Sequence, residues 1–169
     1  MPFRPVSGRF YRIVFASDRD APLRGARSPE GRSHHNCDAA LYMSPSPQAA
    51  AFAVASYLRP NDPPRLIQPL ILQNARLLDL RRPTVIRHLH LQGDEASIPW
   101  QPQRALGLPA TSWQASDAAR RTGADGIIYA ARSEPSRWHV VLFRWTTDGL
   151  HLAPDGPALP FAPDMPPLL

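Results

Sequence analysis

Five consecutive residues, His34-His35-Asn36-Cys37-Asp38, place two imidazoles, one thiol and one carboxylate next to one another. These groups are common ligands of borderline metal ions, so the segment suggests a metal site. Adjacent residues in one loop rarely complete a tetrahedral site by themselves. Cys37 is the only cysteine, and its surroundings in the sequence define no basic partner that would activate it. We therefore predict no metal ion, no nucleophilic cysteine and no internal disulfide.

The charged residues limit the chemistry further. The 169 residues carry 19 basic and 14 acidic side chains, a net charge of +5, and every basic side chain is an arginine. Without lysine the protein cannot form a Schiff base or a P-loop, whereas arginine can bind phosphate or carboxylate with two hydrogen bonds. A mechanism that needs a glutamate has only Glu30, Glu95 and Glu134 to use. The arginines match no nucleic-acid-binding motif, so we predict no direct contact with nucleic acid.

The composition predicts a single domain in the cytoplasm. With 43% hydrophobic and 20% charged residues, the chain can bury one sizeable core. The longest apolar stretch, Ala49–Ser56, is too short to span a bilayer. The N-terminus lacks the apolar segment and small-residue cleavage site of a signal peptide.

The elements that must position these residues begin with a strand at Arg9–Phe15, where aromatic and β-branched residues alternate with polar ones. Residues 16–36 are rich in Asp, Arg, Gly and Pro, and a loop of this length is typical of a binding loop. A short strand at Leu41–Met43 follows. Ser46 and Pro47 then predict the start of an alanine-rich helix that ends at Leu58.

The second half of the chain alternates between strands and short helices. Leu66–Gln73 and Ala75–Leu80 read as two strands or one bent strand, and Thr84–Leu91 as a short helix. Asp94–Ala110 is broken by prolines and predicts a surface connection with little regular structure. Ser112 is suited to cap a helix over Trp113–Arg121.

The C-terminal part predicts a hairpin and a tail. Gly126–Ala131 and His139–Phe143 are rich in β-branched residues and are separated by a long turn. A turn at Thr147–Gly149 leads to one more short strand. From Ala153 onward, six of the 21 prolines occur in 17 residues, so we divide the chain into a domain over 1–152 and a proline-rich extended tail over 153–169.

Several short motifs follow one another in a specific order along most of this chain. They are Arg12, Glu30-Gly31-Arg32, Ala40-Leu41-Tyr42, Ser116-Asp117-Ala118-Ala119, and Gly123-Ala124-Asp125-Gly126-Ile127-Ile128-Tyr129 followed by Arg132. In this order and spacing they resemble the RES domain family, the NAD-consuming toxins of bacterial toxin–antitoxin pairs. The resemblance extends from about Arg9 to Phe143.

The resemblance implies an α+β fold similar to ADP-ribosyltransferase toxins, with small mixed sheets and a few short helices. It places NAD, as substrate, in a cleft between the first strand, the Gly-Arg loop and the Tyr42 strand. Guanidinium groups can clamp the two phosphates of a dinucleotide, and a tyrosine ring can stack on nicotinamide. On this basis the catalytic residues are Arg32 and Tyr42, and the NAD-binding residues are Arg12, His34, Ser44 and Arg132.

Two residues of the family pattern are replaced in this sequence. The family glutamate is expected on the helix after Tyr42, where Ala51-Phe52-Ala53 stands. The family serine falls at Ala131. Cleavage of the nicotinamide–ribose bond develops positive charge on the ribose, which a nearby carboxylate would stabilise. Glu30 and Glu134 are the candidates to replace the missing acid.

Two functions remain open at this point. The first is a toxin that cleaves the nicotinamide–ribose bond of NAD or transfers ADP-ribose to a protein acceptor. The second is a catalytically weakened RES-like module that recognises a nucleotide or a protein partner. The resemblance also implies an antitoxin partner of the DNA-binding, Xre-like type, and it leaves a homodimer open.

Overall fold

A computed structural model describes residues 2–163 of the chain. Within these residues seven strands form one mixed sheet, accompanied by four short α-helices, so the predicted α+β class is confirmed. The strands are β1 (Arg4–Phe15), β2 (Leu41–Met43), β3 (Arg65–Asp79), β4 (Gly126–Ala130), β5 (Trp138–Leu142), β6 (His151–Pro154) and β7 (Leu159–Phe161). The helices are α1 (Pro47–Val54), α2 (Pro83–His88), α3 (Trp100–Ala105) and α4 (Ser112–Arg121).

The long strand β3 organises the sheet. It pairs antiparallel with β1 along almost its whole length, from Arg4 opposite Leu77 to Phe15 opposite Arg65. Near its C-terminal end β3 also pairs with β4, in parallel, and the order continues through β5 to β2. The two predicted segments between 66 and 80 are therefore one continuous strand of 15 residues.

The first and last strands of this order meet again. Tyr11 in β1 and Ser44, directly after β2, exchange two backbone N–H···O hydrogen bonds of 2.8 Å each. The sheet therefore curls until its ends touch, and we call the Tyr11–Ser44 contact the seam. Local sequence patterns carry no sign of it, because the two residues are joined only through the closed path of strands.

The side chains of each strand alternate between the two faces of the sheet, and this divides the core into two clusters. Ile127 and Val141 pack with Leu78 and the alanine face of α4. Their neighbours Ile128 and Val140 face the other way and pack in a second cluster, whose members include Phe10, Leu41, Leu70, Leu77 and Leu142. Successive strand residues point to opposite faces, so these consecutive apolar residues indicate a sheet buried on both sides.

Two helix predictions need correction. Ser46 caps α1 as expected, accepting a 3.0 Å hydrogen bond from the Ala49 N–H, but the α-helix ends at Val54 and continues only as a 3₁₀ turn to Tyr57. Ser112 does not cap α4: it is the first helical residue, and its hydroxyl donates to the backbone carbonyl of Arg32. Its side chain therefore serves a tertiary contact instead of the helix end.

Two segments are more regular than their prolines suggest. The predicted irregular connection 94–110 contains a 3₁₀ turn and α3, whose Pro102 lies in the first turn, where a missing N–H costs little. Two parts of the predicted tail pair with β3: Ala153 and Pro154 at the end of β6, and β7, which lies opposite Arg65–Ile67. Residues 164–169 of that tail lie outside the described part of the chain.

Candidate active site

A cavity of about 570 Å³ lies where β1, the 16–36 loop, the end of β2 and α1 meet, and its volume is typical of small-molecule sites. Five of the six residues predicted from the sequence line it. They are Arg12, Arg32, His34, Tyr42 and Ser44. The sixth, Arg132, is exposed in the turn between β4 and β5 and is not part of the cavity wall.

Arg32 is the cavity arginine whose charge is least compensated. Its guanidinium donates to the carbonyls of Ala96 and Ile98, at 3.3 and 3.4 Å. It forms no ion pair with a carboxylate among residues 2–163. A half-buried guanidinium held only by neutral carbonyls keeps its positive charge available to an anionic ligand.

Arg12 has a different set of partners. From β1 its Nη1 donates to the carbonyls of Pro22, at 3.0 Å, and Arg24, at 2.7 Å, so it fastens the long loop to the sheet. Burial lowers the pKa of Arg12 to about 10, partly offset by Asp18, and the group remains charged at neutral pH. Its Nε is buried and has no hydrogen-bond partner in the described residues, a property shared by Arg65, which also lines the cavity.

Tyr42 and His34 are linked in one chain of hydrogen bonds that begins and ends on the backbone of the 16–36 loop. Since the Ser28 carbonyl can only accept, His34 Nε2–H donates to it, at 2.9 Å, and His34 Nδ1 accepts from the Tyr42 hydroxyl, at 2.8 Å. The Tyr42 oxygen accepts in turn from the Ser33 N–H. Burial raises the pKa of Tyr42 and lowers that of His34, so both are neutral. Their polar ends are thus committed to shaping the loop, and the ring of Tyr42 remains as its contribution to the cavity.

Gly31 allows the loop to turn this tightly. A Cβ at Gly31 would lie 2.7 Å from Nδ1 of His34 and closer still to Cε1 of the same ring. The Gly-Arg motif therefore has a local steric reason, since no side chain fits between the loop backbone and the imidazole.

Helix α4 holds the same loop from behind. Trp113 Nε1 donates to the carbonyl of Gly31 at 2.8 Å, and Ser112 Oγ to that of Arg32 at 2.5 Å. Arg120 Nη2 donates to the next carbonyl, that of Ser33, at 3.0 Å. Three side chains of one helix thus satisfy three consecutive carbonyls, which fixes where the Arg32 side chain begins.

The His34–Asp38 segment splits between two roles. His34 belongs to the cavity, whereas His35 lies outside it, donating from Nε2 to Asp117 at 2.9 Å and stacking on Trp113 with ring centroids 4.3 Å apart. The potential ligand atoms of His35, Asp38 and Asp117 lie within 4.8 Å of one another. The hydrogen bond and the stacking already account for the position of His35, which ties the loop to α4.

Comparison with known proteins identifies the family. Residues 9–164 match the model of the RES domain. The chain belongs to the RES domain family. A chain in the crystal structure of the M. tuberculosis MbcT–MbcA toxin–antitoxin complex has the same fold, with a TM-score of 0.68 and 21% identity over 95% of this chain and 87% of that chain. No curated protein sequence matches significantly. The resemblance inferred from the motifs is thus confirmed.

The helix segment where the resemblance places the family glutamate is apolar in this RES domain. Of the three residues expected there, Ala53 lines the cavity, next to Ala50 and Val54 from the same helix. The expected serine position, Ala131, is buried away from the cavity wall. Neither of these two positions therefore carries a polar side chain.

Neither candidate acid is free to take that role. Glu30 lines the cavity, but both its carboxylate oxygens accept from Arg104, at 2.9 and 3.0 Å, and this pairing lowers the pKa of Glu30. Glu134 is exposed in the β4–β5 turn, near Ser136 and Arg137, and does not reach this cavity. Among residues 2–163 the wall of the cavity therefore offers no uncommitted carboxylate.

Sequence reasoning did not assign Tyr129 and His139 to the site, and both line the cavity. Both are buried, and the hydroxyl of Ser44 lies 2.8 Å from Nδ1 of His139. His139 is the one polar residue in the apolar run from 139 to 143 of β5. A buried polar residue in such a run was the available signal.

No helix within residues 2–163 has the length and hydrophobicity to cross a membrane.

Proposed function

We propose that this RES domain binds NAD in the cavity and cleaves its nicotinamide–ribose bond. The observation that carries the proposal is Arg32, a half-buried guanidinium at the cavity wall that no carboxylate neutralises in the described chain. Arg12 adds a second positive group with an unpartnered Nε, and the buried Nε of Arg65 is also unpartnered, although Asp62 pairs with the Arg65 charge at 3.0 Å. An anionic ligand such as a diphosphate complements this wall, and the Tyr42 ring supplies a flat surface for an aromatic base.

Calorimetric titration with NAD and with ADP-ribose tests the binding step. Arg32→Ala should weaken both ligands by roughly tenfold to a hundredfold, the range expected when a charge-assisted hydrogen bond is lost. Arg87→Ala, which removes an exposed arginine from α2, is the matched control and should bind like the wild type. Equal affinity in the Arg32→Ala protein would remove this residue from the site.

We propose further that the protein is the toxin of a toxin–antitoxin pair. Its membership in the RES domain family supports this role, and the similar chain of known structure is a toxin bound to its antitoxin. The proposed partner is a DNA-binding antitoxin of the Xre-like type. Expression in a bacterium without that partner should lower cellular NAD or label a protein with ADP-ribose, and co-expression of the partner should prevent both.

The absent carboxylate favours a second candidate, a module that binds the nucleotide but turns it over slowly or not at all. The apolar wall at Ala53 and the committed Glu30 support it. Nicotinamide release measured on the purified protein distinguishes the two: binding without release supports the module, and binding with release supports the enzyme.

A further inference from the structure

His139, the second residue of β5, is a buried histidine that none of the family motifs includes. It is 4% exposed and lines the cavity. Its ring is fixed on three sides: Ser44 Oγ lies 2.8 Å from Nδ1, the Tyr129 ring lies 5.5 Å away, and the Phe52 ring lies parallel at 6.5 Å. Nε2 makes no hydrogen bond within residues 2–163, so it is the ring nitrogen available to a ligand in the cavity.

The surroundings of His139 keep the imidazole neutral. Burial, together with the smaller effect of the positive charges of Arg32 and Arg137, lowers its pKa to about 4. At neutral pH the ring therefore has one N–H and one lone pair. When the Nδ1–H donates to Ser44 Oγ, the lone pair is on Nε2, and the cavity contains a proton acceptor that no carboxylate supplies.

We propose that His139 is the proton acceptor of the bond cleavage proposed above, on which this inference rests. The bond between nicotinamide and the ribose carbon breaks, and its electron pair leaves with nicotinamide. The oxygen of a water molecule forms the new bond to that carbon, and the water proton passes to Nε2 of His139 and then to solvent. Ser44 holds the ring by accepting from Nδ1–H, so Ser44 is a positioning residue.

Basicity and charge together set the expected rate. A lone pair with a pKa of about 4 is as basic as an ordinary glutamate carboxylate, so proton transfer to it is feasible. A neutral imidazole, however, carries no negative charge to stabilise the positive ribose. His139 can therefore replace the base function of a carboxylate but not its electrostatic function, and turnover should be slow.

The test compares nicotinamide release and NAD affinity in four proteins. His139→Gln should reduce kcat by about a hundredfold, within the usual range for a general base, with NAD affinity changed by less than about threefold. Ser44→Ala keeps the imidazole but removes the hydrogen bond that holds it, and should reduce kcat by about tenfold. His151→Gln, which replaces an exposed histidine in β6, is the matched control and should match the wild type.

A pH profile adds a readout that a structural role would not produce. The wild-type rate should be constant above about pH 5 and fall as His139 becomes protonated near pH 4. The charged and titratable groups that face His139 are Arg32, Arg137 and Tyr129, and burial raises the pKa of Tyr129 to about 12. Hydrogen bonds from Arg104 lower the pKa of Glu30, the carboxylate of the cavity wall. This fall should disappear in His139→Gln.

The outcomes separate this inference from the proposal beneath it. A wild-type protein that neither binds nor cleaves NAD overturns both. A wild-type protein that releases nicotinamide while His139→Gln is equally active overturns only the role of His139, as does a loss of affinity with kcat unchanged. If His139→Gln fails to fold by circular dichroism, Ser44→Ala and the wild-type pH profile decide.

Discussion

Arg12 and Arg32 have the same side chain and line the same cavity, but their partners give them different tasks. Arg12 donates to two carbonyls of the long loop, whereas Arg32 reaches only the weaker contacts at Ala96 and Ile98. The sequence showed that arginines were available for anion binding but could not show which would be occupied by the protein itself. That distinction depends on carbonyls supplied by the folded loop.

Arg12→Ala should mainly destabilise the fold. Two hydrogen bonds from a charged donor are lost, so the free energy of unfolding should fall by about 2 kcal/mol. Urea denaturation measures this, and cleavage by a protease within residues 16–30 should become faster. Arg19→Ala, whose exposed guanidinium donates only to its own turn, is the control. An unchanged unfolding free energy in Arg12→Ala would contradict the fastening role.

Ala53→Glu should supply the uncommitted carboxylate that the described wall of the cavity lacks. Ala53 lines the cavity from α1, so a carboxylate there would lie near the developing positive charge of the ribose. Nicotinamide release should rise by about tenfold or more. Ala55→Glu, on the exposed turn after α1, adds the same charge outside the cavity and should have no effect. A folded Ala53→Glu protein without a gain would show that this helix position is not the family glutamate position.

At the scale of elements, α4 is the support of the Gly-Arg loop. The signals at its two ends predicted a helix over Trp113–Arg121, which is confirmed although Ser112 is its first residue and not its cap. The order of the motifs placed this helix in the same family pattern as the loop. The contact itself could not be predicted, because Ser112 and Trp113 are about 80 residues from the carbonyls that they bind. Local patterns specify elements, whereas these donors find their acceptors only after the elements pack.

Trp113→Phe should test this support. The substitution keeps an aromatic ring on His35 but removes the hydrogen bond to the Gly31 carbonyl. Stability should fall by about 1 kcal/mol, and NAD affinity should fall severalfold although Trp113 does not line the cavity. Thermal unfolding and calorimetry measure the two effects. Gln114→Ala, exposed on the same helix, should change neither, and an unaltered NAD affinity in Trp113→Phe would argue against the coupling.

At the scale of the whole molecule, the C-terminal segment is part of the sheet. The proline count predicts a tail from residue 153, yet β6 and β7 pair with the edge of β3 that β1 leaves open. Proline is tolerated there because an edge strand has unpaired positions where a missing N–H costs nothing. Composition alone could not distinguish an unpaired tail from an edge strand of this kind.

Truncation after Pro157 should therefore destabilise the protein. It removes β7 and exposes the backbone of Arg65–Ile67, an edge that can pair with another chain. We expect a lower Tm and faster aggregation, measured by differential scanning fluorimetry and light scattering. Truncation after Pro163 keeps β7 and controls for chain length. Equal Tm and equal scattering for both truncations would mean that β7 contributes nothing to the sheet.

The seam between Tyr11 and Ser44 holds one part of the cavity wall in place. Both residues line the cavity, and their paired backbone bonds tie the two ends of the sheet together beneath it. The two ends of the sheet therefore cannot separate without breaking these two hydrogen bonds. The amide protons of Tyr11 and Ser44 should accordingly exchange with solvent only on global unfolding, which hydrogen exchange measures.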